Sequence, residues 1–197
     1  MGSLFSIPLA YTLWFFTFRV NFSSFWLRLV LSVFVLLSFS LILRRKDIIR
    51  EFRTSNVELL IGVAVGMGLY LFMLAGYRLL EFLVAHSASE VYKLGMGVEP
   101  YSVALLLIFT SIGEESYWRG LILHVLREKM GTMHALALSS LLYSSVHVWT
   151  MNIPLMLVAF IAGVVWGLLY MKTGSLASAS ASHITWTELI FVFAPLR

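Results

Sequence analysis

Residues 105–123 read LLLIFTSIGEESYWRGLIL, an apolar run long enough to cross a bilayer that carries Glu114, Glu115 and Arg119 in its interior. Ionised side chains in hydrocarbon are costly, so such residues face a protein interior and mark candidate functional positions. Spacing separates the two acids. Glu115 and Arg119 stand at i and i+4, on one helical face, where they can form an ion pair. Glu114 points about 100° away from that face and has no such partner. A carboxylate left without a counter-charge in a dry site is suited to general base and acid work.

Working outward, the surrounding chain has the same apolar character. The 197 residues are 60% hydrophobic and 12% charged, with mean hydropathy +0.90. Soluble domains are about 45–50% apolar and about 25% charged. The excess must face something other than water, and lipid meets that need. Seven apolar segments are read, at residues 4–18, 25–43, 57–77, 101–123, 133–150, 154–171 and 176–194. The expected fold is all-α, a polytopic transmembrane helical bundle of about seven spans. Residues 1–100 hold the amino-terminal transmembrane helices and a connecting loop. Residues 101–194 form the helical core that carries the chemistry, within one compact membrane domain. The stretch 78–99 is mixed and is expected to be an interfacial helix followed by a Gly-rich loop.

Basic residues set the orientation. If the segments alternate, Arg44, Arg45, Lys46, Arg50, Arg53, Arg127, Lys129 and Lys172 fall on one side. The other side receives Arg19, Arg28, Arg78, Lys93 and Arg197, diluted by Glu81, Glu90 and Glu99. The amino terminus is therefore expected inside and the carboxyl terminus outside. The protein is expected to be an integral multi-pass membrane protein, in the plasma membrane if the source is prokaryotic. The absence of cysteine excludes disulfides, thiolate metal sites and cysteine nucleophiles. Nucleic-acid binding has no support, because topology and anionic lipid account for the basic loop at 44–53.

Two more apolar segments carry histidine: His147 in LLYSSVHVWT and His183 in SASASHITWTEL. Counting 1.5 Å per residue from the inner ends, Glu114, His147 and His183 lie roughly 20, 22 and 14 Å deep. Three ionisable groups on three helices thus reach a similar level. Tyr143 shares a helical face with His147, and Thr187 shares one with His183, so that His183 and Thr187 could donate to one oxygen. The small-residue run from Ser175 to Ser182, and Gly163 with Gly167, suit close helix packing. Glu188 is a further acid, expected near the outer interface in a structural role.

This set of residues resembles the CPBP family of intramembrane proteases, also called the ABI or CAAX prenyl protease type II family. That family's Glu-Glu-x-x-x-Arg motif stands here as Glu114, Glu115 and Arg119. Its Phe-x-x-x-His motif appears as Tyr143 to His147, with tyrosine in the first place. Its His-x-x-x-Asn/Asp motif appears as His183 to Thr187, with threonine in the last. The resemblance covers about residues 100–190. It implies peptide-bond hydrolysis within the membrane, with Glu114 activating water and His147 helping to hold it. It further implies His183 and Thr187 at the oxyanion, with Glu115, Arg119 and Tyr143 as supports. The expected partners are membrane lipid and a membrane protein or a lipidated or hydrophobic peptide substrate.

Three alternatives stay open. A zinc-dependent version of the protease would use Glu114, His147 and His183 as ligands, whereas the leading reading has no cofactor. A non-catalytic scaffold or immunity factor could keep the fold, a reading motivated by Thr187. A small transporter could use Glu114 as a proton relay, although no inverted repeat is visible.

Overall fold

The computed structural model describes residues 2–196, with side chains from residue 4 onward. Arg197, counted above on the outer side, lies outside the described residues. Eight α-helices follow one another: α1 (Ser6–Arg19), α2 (Phe25–Glu51), α3 (Asn56–Leu94), α4 (Pro100–Tyr117), α5 (His124–Met130), α6 (Thr132–Ser145), α7 (Ile153–Thr173) and α8 (Leu176–Glu188). A π-helical turn, Trp118–Leu123, joins α4 to α5, and a second, Leu189–Phe193, follows α8. No strand occurs among the described residues.

Each expected apolar segment is helical. Helices Phe25–Glu51 and Ile153–Thr173, together with the stretch Asn56–Leu79 of α3, are long and apolar enough to cross a membrane. Their exteriors are apolar: Phe34, Leu60, Leu71 and Phe72 are 56%, 68%, 60% and 60% exposed. Such faces avoid water by meeting lipid. The other segments are shorter or carry more polar side chains turned inward. Residues 78–94 are helical, as expected, and the span-length stretch of α3 stops at Leu79. They continue α3 past a bend at Leu80 (φ −112°, ψ 18°) and stop at Gly95.

Local signals fix the helix ends. Ser55 and Glu58 form a reciprocal capping box at the start of α3 (Ser55 Oγ accepts from Glu58 N at 3.2 Å, and Glu58 from Ser55 N at 2.9 Å). Asn152 caps α7 and Ser175 caps α8 through backbone N–H groups three residues on. Gly174, at φ 67°, ends α7 in the left-handed region that glycine adopts without strain.

Small residues set the spacing of the helices around the site. A Cβ on Gly62 would stand 2.3 Å from the carbonyl of Ser178, and one on Gly66 would stand 2.5 Å from that of Ser182. The Ser/Ala run of α8 therefore lies against a Gly62-x-x-x-Gly66 strip on α3. Gly163 and Gly167 serve the α6–α7 contact, lying against Ser140, Tyr143 and Leu136.

The two ends of the bundle differ. At the basic end, Arg44 pairs with Glu51 at 3.1 Å, Tyr170 donates to Glu51 at 2.9 Å, and Ser175 donates to Thr54 at 3.0 Å. Arg44 also donates to the Gly120 carbonyl of the first π turn. At the opposite end, Trp26 donates to the Gly95 carbonyl at 3.0 Å, Asn152 to that of Ser87 at 2.8 Å, and Tyr92 to that of Ile190 at 3.0 Å.

Candidate active site

The site is built where α4, α6, α7 and α8 meet below α1. Glu114, Tyr143, His147, His183 and Thr187 all line one cavity of about 140 Å³. Glu114, Glu115, Arg119 and His183 are 8%, 0%, 2% and 4% exposed. The three ionisable groups that helix length puts at a similar depth therefore share one chamber.

Glu115 joins two of the motifs. Its Oε1 accepts from Arg119 Nη1 at 3.0 Å and from His183 Nδ1 at 2.9 Å. An ionised carboxylate only accepts hydrogen bonds, so His183 Nδ1 carries the proton and Nε2 is the nitrogen left for the chamber. Arg119 also donates to the Gly163 carbonyl at 3.2 Å and lies over the rings of Tyr143 (4.8 Å) and Trp166 (5.3 Å). Trp166 stacks on His183, with ring centroids 3.7 Å apart and planes inclined by 17°. The π turn begins at Trp118 and carries Arg119. Single π turns within α-helices occur often at functional sites.

His147 is oriented by its own helix. Its Nδ1 donates to the Tyr143 carbonyl at 3.1 Å, which again leaves Nε2 for the chamber. The ring sits among Trp14, Phe18 and Tyr143, with centroid separations of 6.3, 6.0 and 5.5 Å. Tyr143 and Glu114 line the same chamber. The tyrosine standing where the family pattern has phenylalanine adds a hydroxyl to a chamber-lining side chain.

Thr187 is less available than its spacing suggests. Its Oγ1 donates back to the carbonyls of His183 (3.0 Å) and Ile184 (3.1 Å), and Ser111 Oγ lies 3.4 Å away. The hydroxyl has one proton, and in this rotamer the helix holds it. Glu188, at the end of α8, is only 9% exposed, and its carboxylate oxygens have no hydrogen-bond partner.

Several chamber walls are not marked by the motifs. Thr110, four residues before Glu114, shares its face, and helical spacing is the signal that points to it. Trp14, Phe18, Trp26 and Trp166 are contributed by other elements, and no local pattern marks them. Among the described residues, no group of three or more His, Cys, Asp or Glu side chains is placed to hold a metal ion.

Comparison with known proteins bears out the resemblance. Residues 97–188 match the family described as type II CAAX prenyl endopeptidase, Rce1-like, a segment that spans all three motifs. No curated protein and no solved structure matches the chain. The matched segment is similar to the type II CAAX prenyl endopeptidases, and with the three long apolar helices it points to an integral membrane protein.

Proposed function

We propose that the protein is a multi-pass intramembrane endopeptidase that hydrolyses a peptide bond of a membrane-associated protein or hydrophobic peptide. The observation that carries this reading is the joint presence of Glu114 and both imidazoles on one chamber. A base, an oriented nitrogen and a second oriented imidazole in a dry site are the parts that amide hydrolysis needs.

In the proposed reaction Glu114 takes a proton from water as the water oxygen attacks the scissile carbonyl carbon. His147 Nε2, with Nδ1 committed to the Tyr143 carbonyl, accepts the second water hydrogen and orients the nucleophile. The carbonyl oxygen gathers negative charge. His183 donates to it from Nε2 when that nitrogen also carries a proton, and the positive charge it then bears faces Glu115 and the Trp166 ring. The C–N bond breaks, and Glu114 returns its proton to the leaving amine. Thr187 joins the oxyanion site only after its hydroxyl turns away from the His183 carbonyl. Glu115, Arg119 and Tyr143 are positioning residues.

The metal-dependent version has less support. Its ligands would be Glu114, His147 and His183, and the described residues offer no grouping of three such side chains suited to an ion. The scaffold reading is favoured by one observation, the commitment of the Thr187 hydroxyl to its own helix. Purified protein in proteoliposomes, incubated with a panel of labelled hydrophobic membrane peptides, distinguishes these readings. Cleavage that is lost in Glu114→Gln and persists with a chelator supports the proposal. Cleavage abolished by chelator and restored by zinc supports the metal version. A Glu114→Gln chain that preserves the cellular phenotype supports the scaffold.

A further inference from the structure

The chamber is not central with respect to the two ends of the bundle. Its deepest walls are Glu114, Tyr143, Trp166 and His183, all buried. From there it runs to Phe18, Phe25, Trp26, Leu94 and Gly95. Phe25 and Gly95 are half-buried and belong to the end where α2 begins and α3 stops. The Trp26–Gly95 hydrogen bond at 3.0 Å closes the rim of that mouth.

Toward the other end the chain is sealed. Tyr117, Trp118, Leu121 and Ile122 are 0%, 1%, 0% and 0% exposed directly below Glu114 and Glu115. Beyond them lies the polar knot of Arg44, Glu51 and Tyr170. That sealed end carries the basic loop at 44–53, the basic residues at 127–129 and Lys172. A second cavity, about 350 Å³ and almost wholly apolar, lies between α3 and α7 in the open half. It shares Val91, Tyr92, Leu155, Val158, Trp186 and Phe191 with the chamber, so the two adjoin. Its size falls within the range of about 300–1,000 Å³ usual for ligand pockets. Phe72 and Leu157 beside it are 60% and 59% exposed, which opens this half sideways to lipid.

Lys and Arg concentrate on the cytoplasmic side of membrane proteins. From the sealed basic end and the open opposite end, we infer that the chamber faces the non-cytoplasmic side. Its substrate is then a peptide bond in the extracytoplasmic segment of a membrane-bound or hydrophobic exported peptide, not a tail assembled in the cytosol. This assignment of substrate class rests on the hydrolytic reading, whereas the sidedness of the chamber does not.

The cysteine-free chain allows a direct test. Single variants Met96→Cys, at the mouth loop, Lys129→Cys, at the basic end, and Thr110→Cys, inside the chamber, are exposed to a membrane-impermeant thiol reagent. The reagent is applied to intact expressing cells and then to permeabilised ones, with each variant checked for monodisperse behaviour in detergent. Leu94→Cys replaces Thr110→Cys if that variant does not fold. The expected result is labelling of Met96→Cys and of the chamber variant in intact cells, with no labelling of Lys129→Cys until permeabilisation. Labelling of Lys129→Cys in intact cells overturns the orientation. A chamber variant that stays unlabelled in intact cells while Met96→Cys reacts overturns the outward mouth. Neither readout depends on catalysis, so a Glu114→Gln chain that still cleaves peptide would fell the hydrolytic reading while leaving the labelling pattern standing.

Discussion

Glu115 Oε1 receives Arg119 and His183 together, and this one atom ties the first motif to the third. Both partners are nearly fully buried, and removing one member of a buried pair leaves an uncompensated charge. Arg119→Ala is expected to lower stability by about 3–5 kcal/mol, read as a lower thermal midpoint in detergent. Glu114→Gln differs, because Glu114 is outside that pair: the fold should persist while cleavage falls by at least about 10²-fold. Tyr143→Phe removes the hydroxyl of a chamber-lining side chain and restores the residue of the family pattern. It is expected to cost no more than about 1 kcal/mol in stability, with cleavage retained. At position 187, valine is expected to change kcat/KM little, because the threonine proton already belongs to the helix. Asparagine there adds a free donor and is expected to raise kcat, by up to the ~10²–10³-fold that one oxyanion donor contributes.

At the scale of elements, the α3–α8 contact decides how close His183 comes to α4. Backbone carbonyls of α8 lie where side chains on Gly62 and Gly66 would stand. Gly66→Val is expected to push α8 away, lowering the thermal midpoint by the equivalent of about 1–3 kcal/mol and reducing cleavage, although residue 66 is not on the chamber. Much of this level is legible in the sequence. The apolar runs mark seven helical segments because hydrophobic length is a strong signal. The Ser/Ala run of α8 declares a close-packing face. The kink of α3 at Leu80 is not legible, because no Gly or Pro between Leu79 and Val84 marks it. The partner strip Gly62–Gly66 is hidden too, because no single sequence says which glycines face one another.

At the scale of the whole molecule, residues far apart along the chain build one chamber. Spacing at i and i+4, with charge inside apolar runs, is enough to single out Glu114, Glu115, Arg119, Tyr143, His147, His183 and Thr187. It does not reveal that α1 and α2 supply Trp14, Phe18 and Trp26 as the walls. Nor does it reveal that Thr187 bonds to its own helix, since rotamers depend on the neighbours that packing brings. The number of membrane crossings follows the same limit. Three helices declare themselves by length and apolarity, whereas α1, α5, α6 and α8 are shorter, and α4 carries Glu114 and Glu115 turned inward.

Hydrolysis by Glu114 is tested most directly by following one labelled hydrophobic peptide in proteoliposomes, with wild type and Glu114→Gln side by side in chelator. Products that appear with the wild type and are absent with the folded variant are the expected result. Equal product from both chains would contradict the assignment of Glu114 as the base.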